Sequence, residues 1–142
     1  MFENKNVLVA GGAGMIGREL VKLLLQRGAN VTVASIDDGV NLPEAVKFRK
    51  LDLREYTSCV QVCEGMDYVF NLAGVKASPK MCKEQPSDIM VPMLQFNTNL
   101  AEAARRAGVT WYLYTSSVGV YYPAEILQED DVKTTTPSPN DW

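Results

Sequence analysis

Seven residues near the start of the chain, 11–17, restrict the fold more than any other part of the sequence. They read Gly-Gly-Ala-Gly-Met-Ile-Gly and separate the apolar run 7–10 from a segment with helical spacing, 15–27. A glycine turn between a buried strand and a helix allows a tight reversal, close approach of the backbone to a diphosphate, and close helix–sheet packing. The first N–H groups of the helix then face the phosphates at its positive dipole end. The sequence therefore predicts a diphosphate-binding turn, formed by Gly11, Gly14, Met15, Ile16 and Gly17.

Apolar runs typical of strands alternate with helical spacing along most of the chain. The first helix is predicted to place Ile16, Leu20, Leu23 and Leu24 on its apolar face. Further strands are predicted at 31–35, 46–51, 67–72 and 111–115, and further helices at 55–64 and 92–107. This alternation indicates an α/β fold, a doubly wound and mostly parallel Rossmann-like sheet with strand order 3-2-1-4-5. Ligands of such folds lie beyond the carboxyl ends of the strands.

The longest connection in this scheme is the segment 73–91. It contains Pro79 and Pro86 and shows no strong periodicity. A connection of this length is typically functional or mobile. Pro92 is predicted to lie in the first turn of the helix that follows, where a proline is tolerated.

Composition excludes several classes of partner and chemistry. A net charge of −3 with a pI near 5.0 gives no reason to expect nucleic acid. The chain has no apolar run long enough to cross a membrane and begins with a polar segment, so neither a membrane anchor nor a signal peptide is expected. Three cysteines, Cys59, Cys63 and Cys82, are expected to be small half-buried thiols in the reducing cytoplasm. The absence of histidine excludes Ser–His and Cys–His nucleophile pairs and leaves too few ligands for a metal site.

A series of short motifs recurs in a fixed order across the chain. The glycines have the spacing G-x-x-G-x-x-G, and later motifs are Asp52-Leu53-Arg54, the tetrapeptide Asn-Leu-Ala-Gly at 71–74, Ala-Ala-Arg at 103–105, and Tyr-Thr-Ser-Ser at 114–117. With these motifs the chain resembles the N-terminal part of an extended short-chain dehydrogenase/reductase, the NAD-dependent epimerase/dehydratase family. Residues 73–77 are similar to the UDP-galactose 4-epimerases, and residues 63–73 to the GDP-mannose 3,5-epimerases. The resemblance implies a coenzyme-binding domain of an enzyme that acts on a nucleotide-diphosphate sugar.

The resemblance also implies roles for individual residues. Asp52 would accept a hydrogen bond from the adenine amino group, and the Leu53 amide would meet the adenine ring. Ala73 and Gly74 would border the diphosphate or a ribose, because small side chains permit close approach. Lys76 would reach the nicotinamide ribose or a phosphate. Ser117 would be the catalytic serine that holds the substrate oxygen.

Selection between NAD and NADP depends on the residue at the end of the second strand, where a carboxylate binds the 2′-OH and repels a 2′-phosphate. The family's usual acidic position falls on Ser35. Asp37, twenty residues after Gly17, is predicted to supply the carboxylate, with Asp38 as a second candidate. We therefore expect NAD, while NADP stays open.

Several positions depart from the family pattern. No tyrosine is followed by a lysine four residues later, although the family uses such a pair as its general base. Ala10, Pro92-Met93 and Gly119 also differ from the residues usual in relatives. We therefore expect residues 1–142 to form an incomplete NAD(P)-binding domain that lacks the C-terminal substrate domain, is inactive alone, and exposes a face that favours self-association or a homodimer. A non-catalytic dinucleotide-binding module and a reductase of a non-sugar substrate are the alternatives.

Overall fold

A computed structural model describes residues 1–39, 41–117 and 121. Five strands form one parallel sheet in the order β3-β2-β1-β4-β5, which confirms the predicted order. The strands are β1 (Asn6–Ala10), β2 (Asn30–Ser35), β3 (Lys47–Lys50), β4 (Tyr68–Asn71) and β5 (Trp111–Tyr114). The helices are α1 (Met15–Gln26), α2 (Tyr56–Cys63), α3 (Pro79–Glu84) and α4 (Pro86–Arg106).

Strand β1 lies at the centre of the sheet and is buried on both faces. It pairs with β2 on one side, Val7 with Val31, and with β4 on the other, Val7 with Tyr68. Because successive side chains of a strand point to opposite faces, Val7 and Val9 pack in the core under α1, whereas Leu8 and Ala10 pack in the core under α2 and α4. Because the side chains on both faces of β1 are buried, the strand is a continuous apolar run.

Helix α1 contacts the sheet through only part of the predicted stripe: Leu20 and Leu24 pack against the core as predicted. Gly17, Val21 and Leu24 are buried, while Ile16 and Leu23 are exposed. The prediction for these two residues was therefore wrong. Gly17 contacts the backbone of the preceding turn, and this contact determines which face of the helix packs against the sheet.

The segment 73–91 contains more helix than its sequence indicates. Helix α3 begins at Pro79, and the Ser78 side chain caps it by accepting from the N–H of Met81. Helix α4 begins at Pro86, so Pro92 lies inside the helix and not in its first turn, which corrects the prediction. The missed turn of α4 is mostly exposed, and exposed residues carry no apolar periodicity that could reveal a helix.

The two edge strands differ in chemistry. Strand β3 carries Lys47, Arg49 and Lys50, whereas β5 reads Trp-Tyr-Leu-Tyr and exposes Trp111, Leu113 and Tyr114. Charged side chains on an edge strand oppose pairing with another chain, and apolar ones do not.

Two of the three cysteines are more buried than predicted. Cys59 and Cys63 share the inner face of α2 and are fully buried, while Cys82 on α3 is partly exposed. Burial raises the pKa of the Cys59 thiol to about 12 and that of Cys63 to about 11. Both thiols are therefore protonated and unreactive near neutral pH.

Candidate functional site

An open cleft of about 600 Å³ lies at the carboxyl ends of the strands, where the order of the sheet reverses around β1. Eight of the predicted site residues line it: Gly11, Gly14, Asp37, Asp52, Leu53, Ala73, Gly74 and Lys76. Met15, Ile16, Gly17 and Ser117 are not among the lining residues. A crevice at such a reversal is where open α/β sheets bind their ligands.

The glycine turn brings the loops after β1 and β4 into contact. Gly11 has a φ of +73°, and a Cβ at this position would lie 2.7 Å from the carbonyl oxygen of Leu72. A Cβ at Gly17 would lie 2.5 Å from the carbonyl oxygen of Gly11. Because both approaches are to backbone atoms, which cannot move aside as a flexible side chain would, larger residues are excluded at both positions.

The start of α1 leaves its backbone donors uncapped at this cleft. Gly14 is the N-cap residue, no side chain of the described chain caps the helix, and its first turn contains no acidic residue. A Cβ at Gly14 would meet one atom of the described chain within 4 Å, the Gly11 carbonyl oxygen at 3.2 Å. Uncapped donors, a positive dipole end and an unobstructed approach are the features that hold an anion. The turn therefore fits the diphosphate of a dinucleotide.

A polar cluster at the end of β2 forms one wall of the cleft. The N–H of Asp37 donates to Oγ of buried Ser35 at 3.1 Å, which fixes the turn that carries the Asp37 carboxylate. That carboxylate accepts from Nζ of Lys76, which comes from the loop after β4, at 3.0 Å. Asp38 instead pairs with Lys50 at 2.6 Å, and neither of these two residues lines the cleft. The structure thus separates the two candidate carboxylates.

Asp52, after β3, is bound by its neighbour Arg54. Its carboxylate accepts from the Arg54 backbone N–H at 2.9 Å and from Nε at 3.0 Å and 2.8 Å, and also contacts Nη2. These hydrogen bonds hold the pKa of the Asp52 carboxyl below its ordinary value. Asp52 is therefore ionised at neutral pH and acts only as an acceptor.

Leu53 contributes both to the core and to the cleft. Its side chain is buried in the cluster under α2 and α4, and its carbonyl oxygen accepts from Sγ of Cys59 at 3.1 Å. The loop after β3 is thereby held against α2.

A buried amide that sequence reasoning missed organises the end of β4. Asn71 is fully buried, and its Nδ2 donates to Oδ1 of Asn97 at 2.7 Å and to the Tyr112 hydroxyl at 3.0 Å. Its Oδ1 accepts from the N–H of Ala73 at 3.2 Å. These bonds join β4, α4, β5 and the cleft loop. A polar residue within the apolar run 68–72 was the signal that could have found it.

Helix α4 forms another wall of the cleft, which the sequence did not predict. Asp88, Pro92 and Phe96 line the cleft, and they lie one turn apart on the same helix face. Ser117 lies three residues beyond β5 and is exposed. Gly119 lies outside the described residues.

Two classes of site are not found in the part of the chain that the structure describes. Residues 1–39, 41–117 and 121 contain no group of three or more cysteine or acidic side chains placed to hold a metal ion. Over the same residues no helix combines the length and the apolar composition that crossing a membrane requires.

Comparison with known proteins gives one consistent result. The model of the NAD dependent epimerase/dehydratase family matches residues 7–141. GDP-mannose 3,5-epimerase from Arabidopsis thaliana is 29% identical over 133 residues, which cover 92% of this chain and 35% of that protein. Cinnamoyl-CoA reductase 1 from Petunia hybrida is 33% identical over 126 residues, covering 82% of this chain and 36% of that protein.

A solved structure agrees over the same length. UDP-glucose 4-epimerase from Thermus thermophilus, determined in complex with NAD, superposes with a TM-score of 0.80 at 29% identity and covers 96% of this chain and 46% of that one. The chain thus spans about a third of the length of the curated relatives it matches.

Proposed function

The chain belongs to the NAD-dependent epimerase/dehydratase family, and on this premise we propose that residues 1–142 are the NAD-binding domain of an enzyme that acts on a sugar nucleotide. The observation that carries the proposal is the glycine turn at the uncapped start of α1, in a cleft at the carboxyl ends of parallel strands. That observation supports the binding of NAD and does not bear on the substrate. The substrate class rests on the named activities of the two epimerases above.

We assign the diphosphate of NAD to the glycine turn. Gly11 and Gly17 shape the turn, Gly14 leaves room for the phosphates, and the first N–H groups of α1, from Met15 onward, donate to them. The side chains of Met15 and Ile16 do not contact the diphosphate, because they are exposed to solvent.

We assign the two nucleoside halves to opposite walls of the cleft. The adenosine lies between Asp37, which accepts from a ribose hydroxyl, and the Asp52–Leu53 loop, which meets the adenine. The nicotinamide half extends past Ala73 and Gly74. A Cβ at Gly74 would meet no described atom within 4 Å, so the side-chain space there is open for a ligand.

The reaction of the whole protein is a reversible oxidation of a sugar carbon, for which bound nicotinamide supplies the hydride acceptor. Ser117 would hold the substrate oxygen beside that carbon. Because no tyrosine of the sequence has a lysine four residues later, we propose that the 142-residue chain binds coenzyme but does not turn over alone, and that the sugar nucleotide binds in the full-length enzyme. We place the protein in the cytoplasm, because its described cysteines are free thiols.

Calorimetric titration of the 142-residue chain with NAD tests the proposal. Wild type should bind, and Gly14→Ala should bind at least about ten-fold more weakly, because a methyl group obstructs the phosphates. Gly14 has a φ of −74° that alanine accepts, so the fold should be kept. Gly108→Ala is the matched control: its φ of +72° strains an alanine far from the cleft, so it should lower stability and leave NAD affinity unchanged. A folded wild type that fails to bind at millimolar NAD would refute the proposal.

The identity with cinnamoyl-CoA reductase 1 favours a second candidate, a reductase of a coenzyme A thioester. Ligand-observed NMR on the NAD-saturated full-length protein separates the candidates. UDP-glucose or GDP-mannose should show contacts if the first is correct, and a cinnamoyl thioester if the second is. For the 142-residue chain alone we expect no conversion of UDP-glucose or GDP-mannose to an epimer, and no loss of NADH fluorescence when the cinnamoyl thioester is added together with NADH, as for a non-catalytic binding module.

A further inference from the structure

An ion pair crosses the mouth of the cleft from one wall to the other. The Asp37 carboxylate, positioned by the β2 turn, accepts from Nζ of Lys76 at 3.0 Å, and Lys76 belongs to the loop after β4. The two side chains remain 55% and 86% exposed. An ion pair this exposed is weak and exchanges readily. The pair can therefore rearrange around a ligand. It acts on that ligand through the charges of the two side chains and not by holding a fixed geometry.

Lys76 is the cation placed to act on the end of β2. Within the described residues the cleft is lined by two cationic side chains, Arg54 and Lys76. The Arg54 guanidinium makes three contacts with the Asp52 carboxylate. Lys76 contacts the carboxylate predicted to receive the adenosine ribose.

We infer that Lys76 is a coenzyme-specificity residue, which weakens the preference for NAD over NADP by neutralising Asp37. The inference rests on the proposed function. A carboxylate beside the ribose accepts a hydrogen bond from a 2′-hydroxyl and repels a 2′-phosphate. A neighbouring ammonium group leaves the hydrogen bond possible and offsets the repulsion. Specificity is a difference between two affinities, so Asp37 and Lys76 contribute to it with opposite signs.

Removing either partner should therefore shift the ratio of NADP to NAD affinity in opposite directions. Lys76→Gln leaves the Asp37 charge uncompensated, and the ratio should fall about five-fold for charges roughly 6 Å apart near water. Asp37→Asn leaves the Lys76 charge uncompensated, and the ratio should rise by about the same factor. Both affinities are measured by titrating the 142-residue chain with each coenzyme in low-salt buffer, where screening is weak.

Two further variants control the experiment. Lys76→Arg keeps the charge and should keep the wild-type ratio. Lys50→Gln removes another exposed cation, from the neighbouring pair with Asp38 outside the cleft, and should also leave the ratio unchanged. Circular dichroism should show all four variants folded, because every substituted side chain is more than half exposed.

The outcomes separate the inference from the proposed function. Wild type that binds neither coenzyme would refute the proposed function. Wild type that binds, with a ratio unaffected by Lys76→Gln, would overturn the inference alone. A ratio that responds to Lys50→Gln but not to Lys76→Gln would also overturn it, by assigning the ribose to Asp38.

Discussion

Single residues show how a polar group can be necessary in an apolar sheet. Asn71 lies in the core between β1 and β5, and three of its amide's hydrogen bonds go to partners within the chain. A buried amide with partners costs little, whereas the same partners without the amide lose hydrogen bonds that are partly shielded from water. Asn71 therefore stabilises the sheet and fixes the loop that borders the cleft.

We expect Asn71→Leu to lower the free energy of unfolding by about 2–3 kcal/mol, because it strands Asn97, Tyr112 and the Ala73 N–H. Tyr112→Phe removes one of these bonds and should cost about 1 kcal/mol. The double variant should lose less than the sum, since both changes remove the same bond. Urea denaturation measures all three. An Asn71→Leu variant as stable as wild type would show that the network contributes nothing.

Asp67 gives the fold a defined dependence on acid. Its carboxylate accepts from the Asn6 backbone N–H at 2.8 Å and from Lys5 at 3.2 Å, and the backbone bond is the main cause that lowers its pKa. A lowered pKa in the folded state means that the stabilisation is complete above the ordinary value of 3.8 and disappears as pH falls through the lowered pKa.

We expect Asp67→Asn to be less stable than wild type at neutral pH and to approach wild-type stability as the pH falls below 3.8. The asparagine oxygen can still accept from Asn6, so the difference reports the charge. Urea denaturation at a series of pH values measures the gap between the two proteins. A gap that stays constant down to the lowest pH would contradict the assignment.

The roles of residues that depend on their sequence neighbours were predictable. The roles of residues whose partners are distant along the chain were not. Gly11 and Gly17 are identified by a strand before them and a helix after them, which lie within a few residues. The two side-chain partners of Asn71 are 26 and 41 residues away along the chain, and only the folded sheet brings them together. The pairing of Asp37 with Lys76, 39 residues apart, was unpredictable for the same reason.

Among the elements, α4 contains a proline in its interior, which is unfavourable in a helix. Pro92 is the seventh residue of a 21-residue helix. A proline there removes the N–H that would bond the carbonyl of Asp88, and its ring crowds that carbonyl. The residues buried by α4, from Phe96 to Ala104, all follow Pro92. Tertiary packing therefore holds the second part of the helix, and the cleft wall extends from the first part into the second, from Asp88 to Phe96.

We expect Pro92→Ala to raise the free energy of unfolding by about 1 kcal/mol or more, because it restores a hydrogen bond in the helix interior. Pro86→Ala is the matched control at the first helical position, where the missing N–H has no partner in any case. It should change stability little. Equal effects of the two substitutions, measured by urea denaturation, would contradict this account of α4.

The elements themselves were predictable where burial leaves an apolar pattern in the sequence. Both strands next to β1 are buried on both faces and form continuous apolar runs, and the second part of α4 buries one face. Helix α3 and the start of α4 do not, because no residue of α3 is buried and the α4 residues before Pro92 are mostly exposed. The prolines that interrupt the periodicity of the segment in fact begin both helices.

At the scale of the whole molecule, the sheet ends in two unlike edges. The β3 edge is charged, whereas Trp111, Leu113 and Tyr114 make the β5 edge apolar and exposed. Trp111 and Leu113 share one face of the sheet, since they alternate with Tyr112. The described part of the chain therefore presents one surface suited to association.

We expect the 142-residue chain to self-associate at micromolar to millimolar concentration, and Leu113→Glu to reduce that association, because a charge on an edge strand opposes pairing. Sedimentation velocity over a concentration series measures it. Val60→Glu, an equally exposed apolar position on α2, is the control and should associate like wild type. A wild-type chain that remains monomeric throughout would contradict the expectation.

The buried thiols of α2 allow the rate at which α2 leaves the sheet to be measured. Cys59 and Cys63 react with a thiol reagent only when α2 leaves the sheet, whereas Cys82 is partly exposed without any opening and serves as an internal reference. Cys59 donates to the carbonyl of Leu53, which lines the cleft. A dinucleotide that holds Leu53 should therefore slow the labelling of Cys59 and leave that of Cys82 unchanged. The kinetics of one side chain in the core then report occupancy of a site that this side chain does not touch.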